Sequence, residues 1–144
     1  MTAKEYLYEL TRINRRIDVA HERLLRLRAL AEKTTQGVSS GDGFGGGSAD
    51  RRYDIVAKIV DMERDLNDDI DRYIDKLREA SDLIRRVDCA ELRIVLESRY
   101  FSGESWAMIA DRMGYSVRHV LRKHGQALVA LEAIMQQNSE IKAS

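Results

Sequence analysis

Apolar residues recur at steps of three and four along most of this chain, and that spacing restricts it to long helices. From residue 2 to residue 33 the series is Ala3, Tyr6, Leu10, Ile13, Ile17, Ala20, Leu24, Leu27 and Ala31. A helix gathers such a series into one narrow stripe, whereas a strand would scatter it over both faces. At about 1.5 Å per residue, a helix of this length spans roughly 45 Å. A second series runs through Ile55, Ile59, Met62, Leu66, Ile70, Tyr73, Leu77, Ala80, Ile84 and Val87, with an extra four-residue step after Leu66. Such a stutter locally relaxes supercoiling. Neither series is interrupted by proline, since the chain has none.

Between the two series, residues 34–50 are mostly Gly, Ser, Thr and Asp, and six of the nine glycines fall between Gly37 and Gly47. This stretch has too little apolar surface to offset its ordering entropy, so it reads as a flexible connector. Two long helices joined in this way predict an antiparallel, coiled-coil-like hairpin over residues 1–87. Each seam is too narrow to stand alone, so the helices are expected to need each other and a second copy of the chain.

At Asp88 the register changes. Asp88 and Glu91 have the spacing of a capping box, with Val87 and Leu92 as its hydrophobic staple. The helix that follows carries Leu92, Val95, Leu96 and Tyr100. After a turn at Ser102-Gly103-Glu104, Ser105 is placed to cap a short helix through Trp106, Ile109, Ala110 and Met113. Gly114 stands where a helix end favours a left-handed residue. Ser116 then caps a longer helix with an apolar stripe of Val117, Val120, Leu121, His124 or Gly125, Ala127, Leu128 and Leu131. The fold class is therefore all-α. A hairpin over 1–87 precedes a helix-turn-helix module over 88–135, and a polar tail occupies 136–144.

The last helix has the surface chemistry of a reading helix. Off its apolar stripe lie Ser116, Arg118, His119, Arg122, Lys123 and Gln126, with no acid among them. Arg can contact guanine through two hydrogen bonds and Gln can do the same with adenine, while Lys and Ser reach phosphates. This basic patch has no interleaved carboxylate. It matters because the formal net charge of zero gives no overall attraction to nucleic acid.

Other signals are weaker. Gly37-Val38-Ser39-Ser40-Gly41 matches a nucleophile elbow, and Gly41, Gly43 and Gly46 match a dinucleotide fingerprint. Both motifs need a strand before them, and no strand is evident. The acids Asp61, Glu63, Asp65, Asp68, Asp69, Asp71 and Asp75 alternate with Arg64, Arg72 and Lys76, as on a solvated helix face. His21, His119 and His124 lack partners at metal-ligand spacing. Cys89, the single cysteine, can form no internal disulfide and reads as a small residue in a first helical turn. Trp106 and Tyr100 read as core anchors rather than base-stacking platforms. No enzyme chemistry, cofactor or metal is expected. Without a leader or a long apolar run, the chain is expected to be soluble and cytoplasmic, with no membrane partner.

The run Leu96-Glu97-Ser98-Arg99-Tyr100-Phe101, then Ser105 to Ala110, Met113-Gly114-Tyr115-Ser116, and Val120 through Ala127-Leu128, resembles region 4 of sigma-70-type bacterial factors. The resemblance covers about 40 residues of the sequence. It implies a helix-turn-helix that binds double-stranded DNA, with base-reading positions that map to Val117, Arg118 and Arg122. Two positions depart from the family pattern. Ala107 and Met108 stand where acids are usual, and Val117 replaces an arginine, so the promoter preference of sigma factors does not transfer.

The layout of hairpin plus module is similar to small phage and prophage proteins of the ArpU and RinA type, regarded as late transcriptional regulators. The resemblance implies a regulator acting in a bacterial host cell, while the narrow seams and the small basic patch predict a homo-oligomer, with a dimer favoured. Two further readings stay open. One is a DNA-packaging protein of the small-terminase kind. The other is a module that contacts host RNA polymerase or a sigma factor, as region 4 does.

Overall fold

A computed structural model describes residues 1–36 and 46–143, with side chains at 1–33 and 50–143. The protein is all-α among the described residues. Its helices are α1 (Ala3–Gln36), α2 (Gly46–Arg85), α3 (Ala90–Tyr100), α4 (Trp106–Met113) and α5 (Val117–Ala143). None of them is long and apolar enough to cross a membrane.

The helices extend further than the apolar pattern predicts. α1 runs through Gln36 and α2 begins at Gly46, so the expected connector over 34–50 is shortened at both ends. The reason is cooperativity: once a packed helix is nucleated, each added residue gains a hydrogen bond without a new nucleation cost. Residues 37–45, which hold most of the two glycine-motif matches, lie outside the described residues. Positions 136–143 likewise continue α5 rather than forming a separate tail. Ile134 and Met135 pack against the core just before them and hold that helix in place.

Capping explains two other boundaries. α1 starts with a reciprocal capping box that the sequence reading did not single out. The Glu5 amide donates to Thr2 Oγ1, and the Thr2 amide donates to Glu5 Oε2, both at 3.1 Å. α3 lacks the box expected from Asp88 and Glu91. Its N-cap is Cys89, which makes no side-chain capping bond. The Glu91 carboxylate is engaged elsewhere, by Tyr115 and Lys123.

The chain divides into two compact units. The first combines Met1–Ile13 with Tyr73–Ser144, so it contains the start of α1, the end of α2 and all of α3, α4 and α5. In it α1 and α2 run antiparallel: Lys76 pairs with Glu9 at 2.9 Å, and Ala3 and Leu7 share a cluster with Leu83 and Ile84. That cluster also takes in Leu96, Ala127 and Leu131, so both hairpin ends are part of the core beneath α3 and α5. A smaller cluster of Val95, Ile109, Ala110 and Val120 joins α3, α4 and α5. Each fully buried Leu, Ile or Val contributes about 1.5–3 kcal/mol relative to exposure, which makes this unit the main store of hydrophobic stability.

The second unit is Asn14–Arg72. Of its described side chains, only Leu24 and Leu66 are buried apolar ones. Arg28 and Glu63 form an ion pair between α1 and α2. Both partners are well exposed, so the pair contributes no more than about 1 kcal/mol. Val19, Leu25, Tyr53, Val56 and Val60 are exposed on this unit.

Candidate nucleic-acid interface

The candidate face is built by the junction of α4 and α5. Ser105 sits in extended backbone ahead of α4, and its Oγ accepts from the Met108 amide at 3.2 Å. α4 ends at Gly114, which is left-handed with φ 73° and ψ 28°. That conformation lets the Tyr115 amide reach back to the Ala110 carbonyl at 3.0 Å, closing the helix end and reversing the chain. Ser116 then starts α5, with its Oγ accepting from the His119 amide at 3.1 Å. Three local signals in the sequence (two serine caps and one glycine) therefore lie where the spacing predicts them.

The turn before α4 is tied as tightly. Arg99 donates to the Glu104 carbonyl at 3.0 Å and lies over the Trp106 ring. The Glu104 carboxylate pairs with Arg112 at 2.6 Å. Trp106 meets His124 edge-on, and the Tyr100 hydroxyl shares a 2.7 Å hydrogen bond with His124 Nε2. Burial, followed by the charges of Lys4 and Arg99, holds His124 below the usual histidine pKa. Burial also raises the Tyr100 hydroxyl. These side chains brace the helices, as expected of Trp106, Tyr100 and His124.

α5 turns Val120, Ala127 and Leu131 into the core. At about 3.6 residues per turn, the opposite side carries Arg118, Arg122 and Gly125. Arg118, Arg122, Ser116 and Gln126 are all exposed. Neither the Arg118 nor the Arg122 side chain makes a hydrogen bond or ion pair among the described residues. Val117 and Leu121, expected in the buried stripe, are instead 41% and 44% exposed. They fall on a flank of α5 because the stripe follows Val120, His124, Ala127 and Leu131.

Besides Ser116, whose Oγ caps α5, two of the candidate residues are already engaged. His119 is half-buried, with its ring edge-on to Tyr115 at 4.4 Å between centroids. Lys123 Nζ pairs with Glu91 Oε2 at 2.5 Å, and only 17% of the Lys123 side chain is exposed. The Tyr115 hydroxyl donates to the other carboxylate oxygen, Glu91 Oε1, at 2.6 Å. The lysine and then the tyrosine hold Glu91 below the usual carboxylate pKa. The carboxylate in turn raises both Lys123 and Tyr115. The flank of α5 that carries Lys123 is therefore not free of acids. Reading one helix at a time misses Glu91, which comes from α3.

The chain matches no known family model, no curated protein and no solved structure. The functional reading therefore rests on the residues of this face themselves.

Proposed function

We propose that the protein is a non-enzymatic, sequence-specific DNA-binding regulator of transcription, of phage or prophage type. It acts as a dimer in the cytoplasm of a bacterial host. α4 braces against the DNA backbone and α5 enters the major groove, which is wide enough to admit one helix. The observation that carries this reading is the pair Arg118 and Arg122. Both are exposed, and they project from the first two turns of α5, opposite its buried stripe.

In this reading Arg118 and Arg122 contact base edges, with Gln126 beside them. Val117 offers an apolar surface to a thymine methyl group. Ser116 and His119 support through phosphates at the helix start. So small a set of cations binds weakly per copy, and two copies on two half-sites supply the affinity. The exposed apolar residues of the second unit, Val19, Leu25, Val56 and Val60, support pairing with another copy.

The test is selection of duplexes from a random pool, followed by polarisation titrations of the selected sequence. Arg118→Ala with Arg122→Ala should abolish preference for that sequence over mixed DNA. Retained preference rules out these residues as readers. Light scattering on the free protein should give a dimer; a large closed ring would instead fit DNA packaging. Capture of host RNA polymerase without affinity for duplex DNA would fit a polymerase-binding module.

A further inference from the structure

Glu91 is placed where a DNA-reading face is least expected to hold a carboxylate. It lies in the first turn of α3, yet its two oxygens are spent on the α4–α5 turn and on α5. Oε1 takes the Tyr115 hydroxyl and Oε2 takes Lys123 Nζ. Lys123 follows Arg122 directly, and its ammonium also lies 5.6 Å from the centre of the Tyr115 ring. Tyr115 packs on His119. One carboxylate thus anchors a group of side chains alongside the two exposed arginines.

Resting on the DNA-binding reading above, we propose that Glu91 regulates this face by withholding Lys123 from DNA phosphates. A phosphate oxygen and the Glu91 carboxylate compete for the same ammonium, and Glu91 also sets a negative charge beside the incoming backbone. The physical consequence is selective. Contacts to phosphates are the part of affinity that ignores sequence, whereas the Arg118 and Arg122 contacts to bases depend on it. Removing one cation from the phosphate count lowers binding to every duplex, and base contacts at a matched site are kept. Glu91 is therefore a specificity-determining residue, acting through Lys123 rather than by touching a base.

Salt dependence separates this role from a purely structural one. Each phosphate that a cation neutralises adds about 0.9 to the slope of log affinity against log salt. The probe is a short mixed-sequence duplex, titrated by polarisation over a range of salt concentrations against the full chain. E91Q keeps a hydrogen-bonding partner for Tyr115 and frees Lys123. It should bind about tenfold tighter at low salt, with a slope steeper by about 0.9. K123M should leave the wild-type slope unchanged and should cancel the gain when combined with E91Q. Y115F removes the hydroxyl bond without changing any charge, so its slope should stay at the wild-type value.

An unchanged E91Q slope, a K123M slope shallower by about 0.9, or a Y115F slope as steep as that of E91Q would each overturn the proposal. Thermal unfolding of each variant shows whether it is folded in the titration. If E91Q is not, K123M and its slope decide the question alone. Failure of the broader reading looks different: neither the wild type nor E91Q would bind any duplex at low salt, which sinks both.

Discussion

His124 sits among Tyr100, Trp106, Arg99 and Lys4, in a setting that favours its neutral form. A histidine with a lowered folded pKa binds fewer protons folded than unfolded. Its stabilising contribution is complete above the unfolded value of about 6.5, and is lost as pH falls through the lower folded value. Urea titrations at several pH values should show the wild type losing stability below about pH 6.5 more steeply than H124Q does. Parallel curves would show that the ring is not the titrating group. Gly114 permits a second prediction at this scale. Its left-handed backbone costs an L side chain about 1–2 kcal/mol, although a Cβ there would meet no neighbour. Gly114→Ala should therefore lower the unfolding free energy by roughly that amount. The outward position of Arg118 and Arg122 was legible, because the faces of one helix follow from its own spacing. The engagement of Lys123 was not, because its partner comes from another helix, and no local pattern brings Glu91 and Lys123 together.

Among the elements, α5 combines a structural cap with an unforced glycine. Ser105 and Ser116 each satisfy an amide at the start of a helix. Replacing either with Ala should cost about 1 kcal/mol in denaturant titrations. Both caps were legible, since serine, helix start and turn glycine are neighbours in sequence. The start of α3 was misread for the opposite reason. Asp88 and Glu91 satisfy the local pattern, and a tertiary partner draws Glu91 away. Gly125 lies within α5, and a Cβ there would meet nothing within 4 Å. Gly125→Ala should then stabilise the protein by about 0.5–1 kcal/mol, the usual gain of Ala over Gly inside a helix. On the proposed reading face, Gly125 lies seven residues from Arg118 and three from Arg122, in the region where DNA would come closest. The same substitution is expected to weaken duplex binding severalfold. A variant that is both more stable and equally tight would remove Gly125 from the contact region.

For the whole molecule, the first unit does not respect the division between hairpin and module drawn at residue 87. The apolar repeat shows that α1 and α2 have a buried seam, but a repeat is silent about which partner covers each turn. Leu7 lies in one cluster with Ile84, Leu96 and Leu131. Leu7→Ala should therefore destabilise the unit by about 2–5 kcal/mol, the cost of a large-to-small change in a packed core. The fragment 88–144 lacks Ala3, Leu7, Leu83 and Ile84, and should lose cooperative unfolding in circular dichroism. A sharp transition for that fragment would show that the hairpin ends are dispensable. Hydrogen exchange should separate the two units, since Asn14–Arg72 has only Leu24 and Leu66 buried among its described side chains. Its amides should exchange through local opening well before those of α3 and α5.

The shared cluster of Ala3, Leu7 and Leu131 also sets a timetable for synthesis. At about 5–20 residues per second, a ribosome needs roughly 6–25 s to travel from the first of these residues to the last. Through that interval the opening turns of α1 have no completed core to enter, and their leucines stay open to chaperones or to neighbouring nascent chains. These turns, made well before Leu131, are thus among the last parts of the core to find their place. A message stalled before Leu131 would release a chain in which the leucines at the start of α1 remain uncovered.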